Sequence, residues 1–368
     1  MRLMDEIDQQ KLFFHPVCNA DEIERIFSLK NANDYLLKMR AETIVDHMRL
    51  FRVYRNKALR GGKNWSLEGA FNNAHYRAVL DKLPKDARSA CDAITYGDIF
   101  SDDPNGMICW TPYGKVTTIS ESLQFFLQFA HLAVLEFRQE VPMRIRVNSL
   151  RIAIRVMLRK EALDFYMDPR GLVPPKITTA IHAPISLQLK FIAGHEFSHN
   201  ILGHLSNSNL SEQPIFYALS NSDCDYKLTK VYNTSQQNEF DADVQAILLP
   251  KYSNRERIEL LKAALLFLGC LELYRAVTDT IFPQVSWLPK SHPTPLERYE
   301  NLLTNVPADG LDSRHWKEFP KSIVKLSAFL QEDVSLNFEA YETYGSAYLD
   351  EPNTKWRGRE LIDRVDYY

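Results

Sequence analysis

At 368 residues the chain is long enough for one large domain or two ordinary ones, and a 45% hydrophobic content supplies a substantial core. A formal net charge of -3 argues against a chain dominated by nucleic-acid or anionic-membrane binding, though local patches remain open. Five scattered cysteines with no Cys-x-x-Cys pair argue against a disulfide framework and for free thiols in a reducing compartment.

In chain order, "MRLMDEIDQQKLFF" places acids where a secretory leader needs an apolar run, so a cytoplasmic chain is expected. "ADEIERIFSLKNANDYLLKMRAETIVDHMRLFRVYRNKAL" spaces its apolar residues helically and predicts a helical N-terminal region. Within it, from Lys38 to Lys63, eight Lys/Arg stand against two acids, Glu42 and Asp46, with Phe51 and Tyr54 interleaved. Such a patch suits a nucleic acid or another acidic partner, and equally a solvated helix face, which is the commoner origin. "RGGKNW" breaks the run, because paired glycines rarely sit inside a helix. "AITYGDIFSDDPNGMICWTPYGK" then reads as a hairpin with Asp-Pro-Asn-Gly as its turn signal. A soft boundary is placed here and a second after Asp309, dividing the chain into residues 1–115, 116–309 and 310–368.

"SESLQFFLQFAHLAVLEFRQE" predicts a helix capped by Ser120 or Ser122. "MRIRVNSLRIAIRVMLRK" is ambiguous: it begins with strand-like alternation, and then Arg151, Arg155 and Arg159 fall at helical spacing as a second basic stripe. A long helix is expected from Pro184 to about Leu205, another over "SQQNEFDADVQAILL", and a third over "RERIELLKAALLFLGCLELYRAVTDTIF". Lys262 and Glu272 interrupt the third, so it reads as a buried core helix and no membrane insertion is expected. "SHPTPLERYENLL" is a loop entering a short helix. A helical extension follows Asp309, and its tail "FEAYETYGSAYLDEP" can pack peripherally, cover a cleft or bind a partner.

The chemistry concentrates in "FIAGHEFSHNILGHL". On a helix His195 and His199 are one turn apart on one face, so two imidazole nitrogens can reach one Zn2+ at about 2.0–2.1 Å. Glu196 lies beside the first ligand, where it can take a proton from a water that zinc acidifies to a pKa of about 7. Two histidines and a glutamate on a helix also suit a satisfied structural cluster. Further along, "NEFDAD" supplies Glu239 and Asp243, again one helical turn apart. Glu239 can be a third ligand, and Asp243 can accept the second N–H of a ligating imidazole. A solvated acidic face does not explain the apolar Phe240, Val244, Ile247 and Leu248 around that pair. Extended helical spacing points His204 away from the ligand face, so it is not expected to bind metal.

With these motifs in order, the chain resembles the gluzincin zinc peptidases. "HEFSH" followed at a distance by His204, and "SHPTPLERYENL", are similar to soluble relatives of the HtpX and CAAX-prenyl-protease group. The soluble Lit-type phage-exclusion peptidases show a similar three-motif order. The resemblance covers about Ala180 to Val306 and implies an α+β, mainly helical fold with a gluzincin-type core and a small sheet flanking the active-site helix. It makes residues 116–309 the metallopeptidase domain and assigns zinc to His195, His199 and Glu239, with Glu196 as general base. It further implies that Asp243 orients His195, that His292 stabilises the oxyanion or binds substrate, and that Arg298 braces the acidic site. A protein or peptide substrate follows, and a cytoplasmic regulatory or defence protease is expected. Two rivals stay open: a binding or regulatory protein with a structural zinc site, and a nucleic-acid-associated regulator with a peptidase effector. No Gly-x-Ser-x-Gly elbow and no phosphate-cradling glycine loop is present.

Overall fold

After α1 (Glu6–Phe14), the N-terminal periodicity becomes three helices, α2 (Ala20–Phe27), α3 (Ala32–Asp46) and α4 (Met48–Gly61). They belong to a computed structural model that describes residues 6–101, 104–137, 140–204, 210–213, 229–232, 236–282, 293–349 and 356. Asn19 and Glu22 form a reciprocal capping box at α2, and Asn31 caps α3 by accepting from the backbone N–H groups of Asn33 and Asp34. After the glycine break come α5 (Ala74–Leu80) and α6 (Lys85–Cys91).

A small mixed sheet follows. β1 (Thr95–Tyr96) pairs parallel with β3 (Gly114–Ile119), and β3 pairs antiparallel with β2 (Gly106–Thr111). β4 (Leu210–Gln213) and β5 (Thr229–Tyr232) complete the strand order β1-β3-β2-β5-β4. The hairpin exists, but its turn is Pro112–Tyr113, since Thr111 is the register partner of Gly114. Thr111 Oγ1 closes it, accepting from the Tyr113 N–H at 3.1 Å and donating to the Gly114 carbonyl at 2.7 Å. The Asp-Pro-Asn-Gly signal instead leads into β2, where the Asn105 carbonyl accepts from Ser120 N–H at 2.8 Å.

The remaining helices are α7 (Glu121–Val134), α8 (Met143–Met157), α9 (Pro175–Ile201), α10 (Gln236–Leu248), α11 (Asn254–Ile281), α12 (Pro295–Asn305), α13 (Ser313–Leu336) and α14 (Phe338–Glu342). Ser120 caps α7, as expected. The ambiguous segment is α8. Its Ile145, Ser149, Ile152 and Val156 are all 0% exposed, and their spacing of four and three residues makes one helical face, which packs on α7. α9 begins at Pro175, nine residues before the expected start, because that proline occupies the first turn, and Pro184 is carried inside the helix. α11 is a core helix as expected, with Glu272 buried and paired to Arg275. No described helix is long and apolar enough to cross a membrane.

The fold is thus mainly helical with a small sheet. One apolar cluster runs from Phe14 through the middle of α9 to Leu349 and Trp356. The segment after α14 is fastened to it by a buried ionic knot around Arg170, whose side chain is 0% exposed. Arg170 pairs with Glu161 at 2.8 Å, Asp164 at 2.7 Å and Asp168 at 3.0 Å. The Ala347 N–H and the Tyr348 hydroxyl donate to Glu161 and Asp168, and the Leu349 N–H donates to the Arg170 carbonyl.

Candidate metal centre

α9 is wedged between elements that leave little freedom to its C-terminal half. Phe197 packs edge-on to Tyr76 and Tyr96 with ring centroids 6.3 and 6.2 Å away, and Phe191 meets Phe267 of α11 at 6.2 Å. β2 and β3 lie along the same helix. α10 crosses at Gly194: a Cβ built there would lie 3.3 Å from the Ala246 carbonyl oxygen and 3.4 Å from its Cβ. Glycine lets the two backbones approach, at a cost of about 1 kcal/mol in helix propensity relative to alanine.

That approach brings the ligand candidates together. His195 Nε2 and His199 Nε2 stand 3.0 Å apart. Glu239 on α10 faces both, with Oε2 3.5 Å from His195 Nε2 and Oε1 3.5 Å from His199 Nε2. These ligand atoms lie within 4.8 Å of one another and all three residues are buried. Ligands at about 2.0–2.1 Å in tetrahedral array stand about 3.3–3.4 Å apart, so the triangle is of the size that one zinc-sized cation needs. The donors also fit chemically: two imidazole lone pairs and a carboxylate converge on one point. The site can therefore hold a metal ion.

Behind the ligands stands a carboxylate brace. His195 Nδ1 donates to Asp243 Oδ1 at 2.9 Å, which turns the Nε2 lone pair toward Glu239 and His199. Arg298 of α12 grips Asp243 through two bonds, Nε to Oδ2 at 2.7 Å and Nη2 to Oδ1 at 2.6 Å, and its Nη1 lies 3.2 Å from Glu239 Oε2. The start of α12 is set by Thr294 and Glu297, a capping box with Pro295 in the first turn, which fixes where Arg298 projects. Burial opposes the charge on Asp243, yet Arg298 and then His195 hold its carboxyl below the usual range. Burial likewise opposes the His195 imidazolium, but Asp243 and Glu239 outweigh it and raise its pKa. His199 moves down, through burial and the neighbouring His195.

Glu196 adjoins this triangle without belonging to it. It is 7% exposed, and burial, with Glu239 nearby, lifts its carboxyl to about 7 against the pull of His195, Arg298 and the Ile108 backbone N–H in β2. A carboxyl near neutrality suits proton acceptance and return. The strand beside Glu196 is thus β2, an interior strand paired to β5 at Cys109 and Trp110, while the sheet's free edges are β1 and β4. His292 lies outside the described residues.

His204 is the residue that helical spacing misplaces. α9 ends at Ile201, and Gly203 adopts the left-handed conformation, φ 71. The Gly203 N–H returns to the Asn200 carbonyl at 3.2 Å and the His204 N–H to the His199 carbonyl at 2.9 Å. This glycine-terminated helix end satisfies otherwise orphaned carbonyls, and it folds the His204 ring back until Nδ1 stands 3.1 Å from His199 Nδ1. The legible signal was Gly203, a helix stop directly after the last apolar position.

The basic stretches are used internally in part, while Arg55, Arg60, Lys63 and Arg159 stay exposed. Arg40 and Arg49 are buried, Lys38 pairs with Glu42, and Lys57 lies over the rings of Tyr54 and Tyr166 at 4.4 and 4.0 Å. Arg151 is paired with Asp333, and Arg155 with Glu161 at 2.7 Å. Comparison of the chain with protein-family models, curated protein sequences and solved structures finds no match.

Proposed function

We infer that the protein is a zinc-dependent peptidase with a gluzincin-type core, acting on protein or peptide substrates. The observation that carries this reading is Glu196: a carboxyl buried beside three converging ligands, next in sequence to His195, yet outside the ligand set. A site that only braces a fold has no use for a base there. Two imidazoles and one carboxylate are the donor set of catalytic zinc centres that leave one position open.

Zinc held at this site supplies Lewis acidity, polarising a carbonyl and acidifying a water. The chain's own part is proton handling and orientation. Glu196 accepts the proton that attack releases and returns it to the departing amine. Asp243 keeps His195 in the tautomer that offers Nε2, and Arg298 keeps Asp243 charged and in place.

The test pairs metal content with cleavage of a peptide library. Wild type is expected to carry about one zinc per chain. Glu196→Gln is expected to keep that zinc and lose about 10²–10⁴-fold in cleavage rate. Zinc without cleavage by either protein favours a binding or regulatory protein with a structural metal, and a chain that takes up no divalent metal removes the reading.

A further inference from the structure

The two histidine ligands are not held alike. His195 has a charged carboxylate behind it, itself gripped by an arginine. Behind His199 stands the imidazole ring of His204, Nδ1 to Nδ1 at 3.1 Å with ring centroids 5.3 Å apart and planes at 61°. A hydrogen bond between two ring nitrogens needs one N–H and one lone pair. If His199 is to offer the Nε2 lone pair toward His195 and Glu239, its proton must sit on Nδ1, and His204 Nδ1 must be the acceptor.

We propose that His204 is a positioning residue for the metal centre: by accepting the His199 Nδ1–H it fixes the ring orientation and the tautomer in which His199 Nε2 binds the cation. The partner is delivered by backbone geometry. The left-handed turn at Gly203 and the His204 N–H···O=C bond to His199 place acceptor and donor rings on the same helix end. The ligand and its orienting group are therefore joined through one short turn, whereas His195 depends on a carboxylate from α10, 48 residues away. The inference rests on reading His195, His199 and Glu239 as a cation site.

Three variants of the full chain separate an acceptor role from packing. His204→Phe keeps a ring and removes the acceptor. His204→Ala removes both. His204→Asn places an amide oxygen near the position of Nδ1 and restores an acceptor. Zinc affinity is measured by competition with a chromophoric chelator, and the site geometry is followed by the absorption spectrum of the cobalt-substituted protein. Thermal melts without metal check that each variant folds. The expected result is a loss of about 10–100-fold in zinc affinity for the Phe and Ala variants with an altered cobalt spectrum, and recovery of most of it in the Asn variant. Equal affinity in all four proteins overturns the proposal. So does a Phe variant that binds zinc as wild type does while the Ala and Asn variants are weak, which would leave His204 a packing group. Failure of the underlying site reading looks different: the wild type itself binds neither zinc nor cobalt.

Discussion

Glu121 is a useful counterpart to Glu196, because burial lifts both carboxyls to about 7 while only one of them adjoins the ligand cluster. Glu121 Oε2 accepts from the hydroxyls of Tyr54 and Tyr166 at 3.5 Å each, so its raised pKa bears on stability rather than on chemistry. A carboxyl whose folded pKa exceeds the ordinary 4.5 contributes stability that is complete below 4.5 and lost as pH rises through about 7. Glu121→Gln should therefore match wild type in denaturant unfolding near pH 4.5 and exceed it at pH 8, by up to about 3 kcal/mol. A difference independent of pH would show that Glu121 titrates normally. At this scale much of the candidate site is legible in the sequence. His195, Glu196, His199, Glu239, Asp243 and Arg298 were each identified from their spacing or the resemblance, and all six are brought together. Helical spacing does not place His204, because the helix ends at Ile201 and Gly203 turns the chain back.

Among the elements, the junction of α9 and α10 decides the geometry of the ligand set. Gly194 precedes His195 and touches Ala246, so a larger side chain there must separate the helix that carries two ligands from the one that carries the third. Gly194→Val is expected to lose about 1–3 kcal/mol of stability through overpacking and to weaken zinc binding. Glycine substitutions at exposed helix positions should cost stability alone. Equilibrium unfolding and chelator competition on the same preparation test the pair of effects, and unchanged zinc affinity would show that α10 can shift without carrying Glu239 away. Element boundaries were less legible than element types. Pro184 reads locally as a helix start, yet the packing of α9 on α11 and the sheet holds the helix continuous through it. The alternation "MRIRV" reads locally as strand until Ser149, Ile152 and Val156 show the longer period, and only burial against α7 chooses between them. The hairpin turn went to Pro112–Tyr113 because a threonine hydroxyl closes that tighter loop, which no dipeptide rule weighs.

Across the whole molecule, the knot around Arg170 is not legible in the sequence: its three carboxylates lie close by in a stretch without helix or strand periodicity, the segment it ties down lies 180 or more residues further on, and the basic stripe containing Arg155 reads as a surface. Glu161 is 0% exposed and meets both Arg155 and Arg170. Removing one member of such a set leaves charges buried without partners, so Arg170→Met should cost about 3–5 kcal/mol of stability. The variant that remains folded should bind zinc as wild type does, because the knot touches none of the ligands. Loss of zinc affinity in folded Arg170→Met would instead reveal coupling between the segment after α14 and the metal centre.

The order in which the site's parts occur along the chain has a consequence for refolding. His195 and His199 lie on one helix and become neighbours once that helix forms, but Asp243 and Arg298 arrive from 48 and 103 residues further on. Closing such long loops is entropically slow relative to forming a helix turn. A cation met early would find two imidazoles, one of them unbraced, and would come and go. It would be retained only after α10 and α12 have docked. A cation bound at this site would then be a clasp on a nearly finished molecule rather than a seed for folding, so tight metal retention by a nascent chain would date the docking of α12.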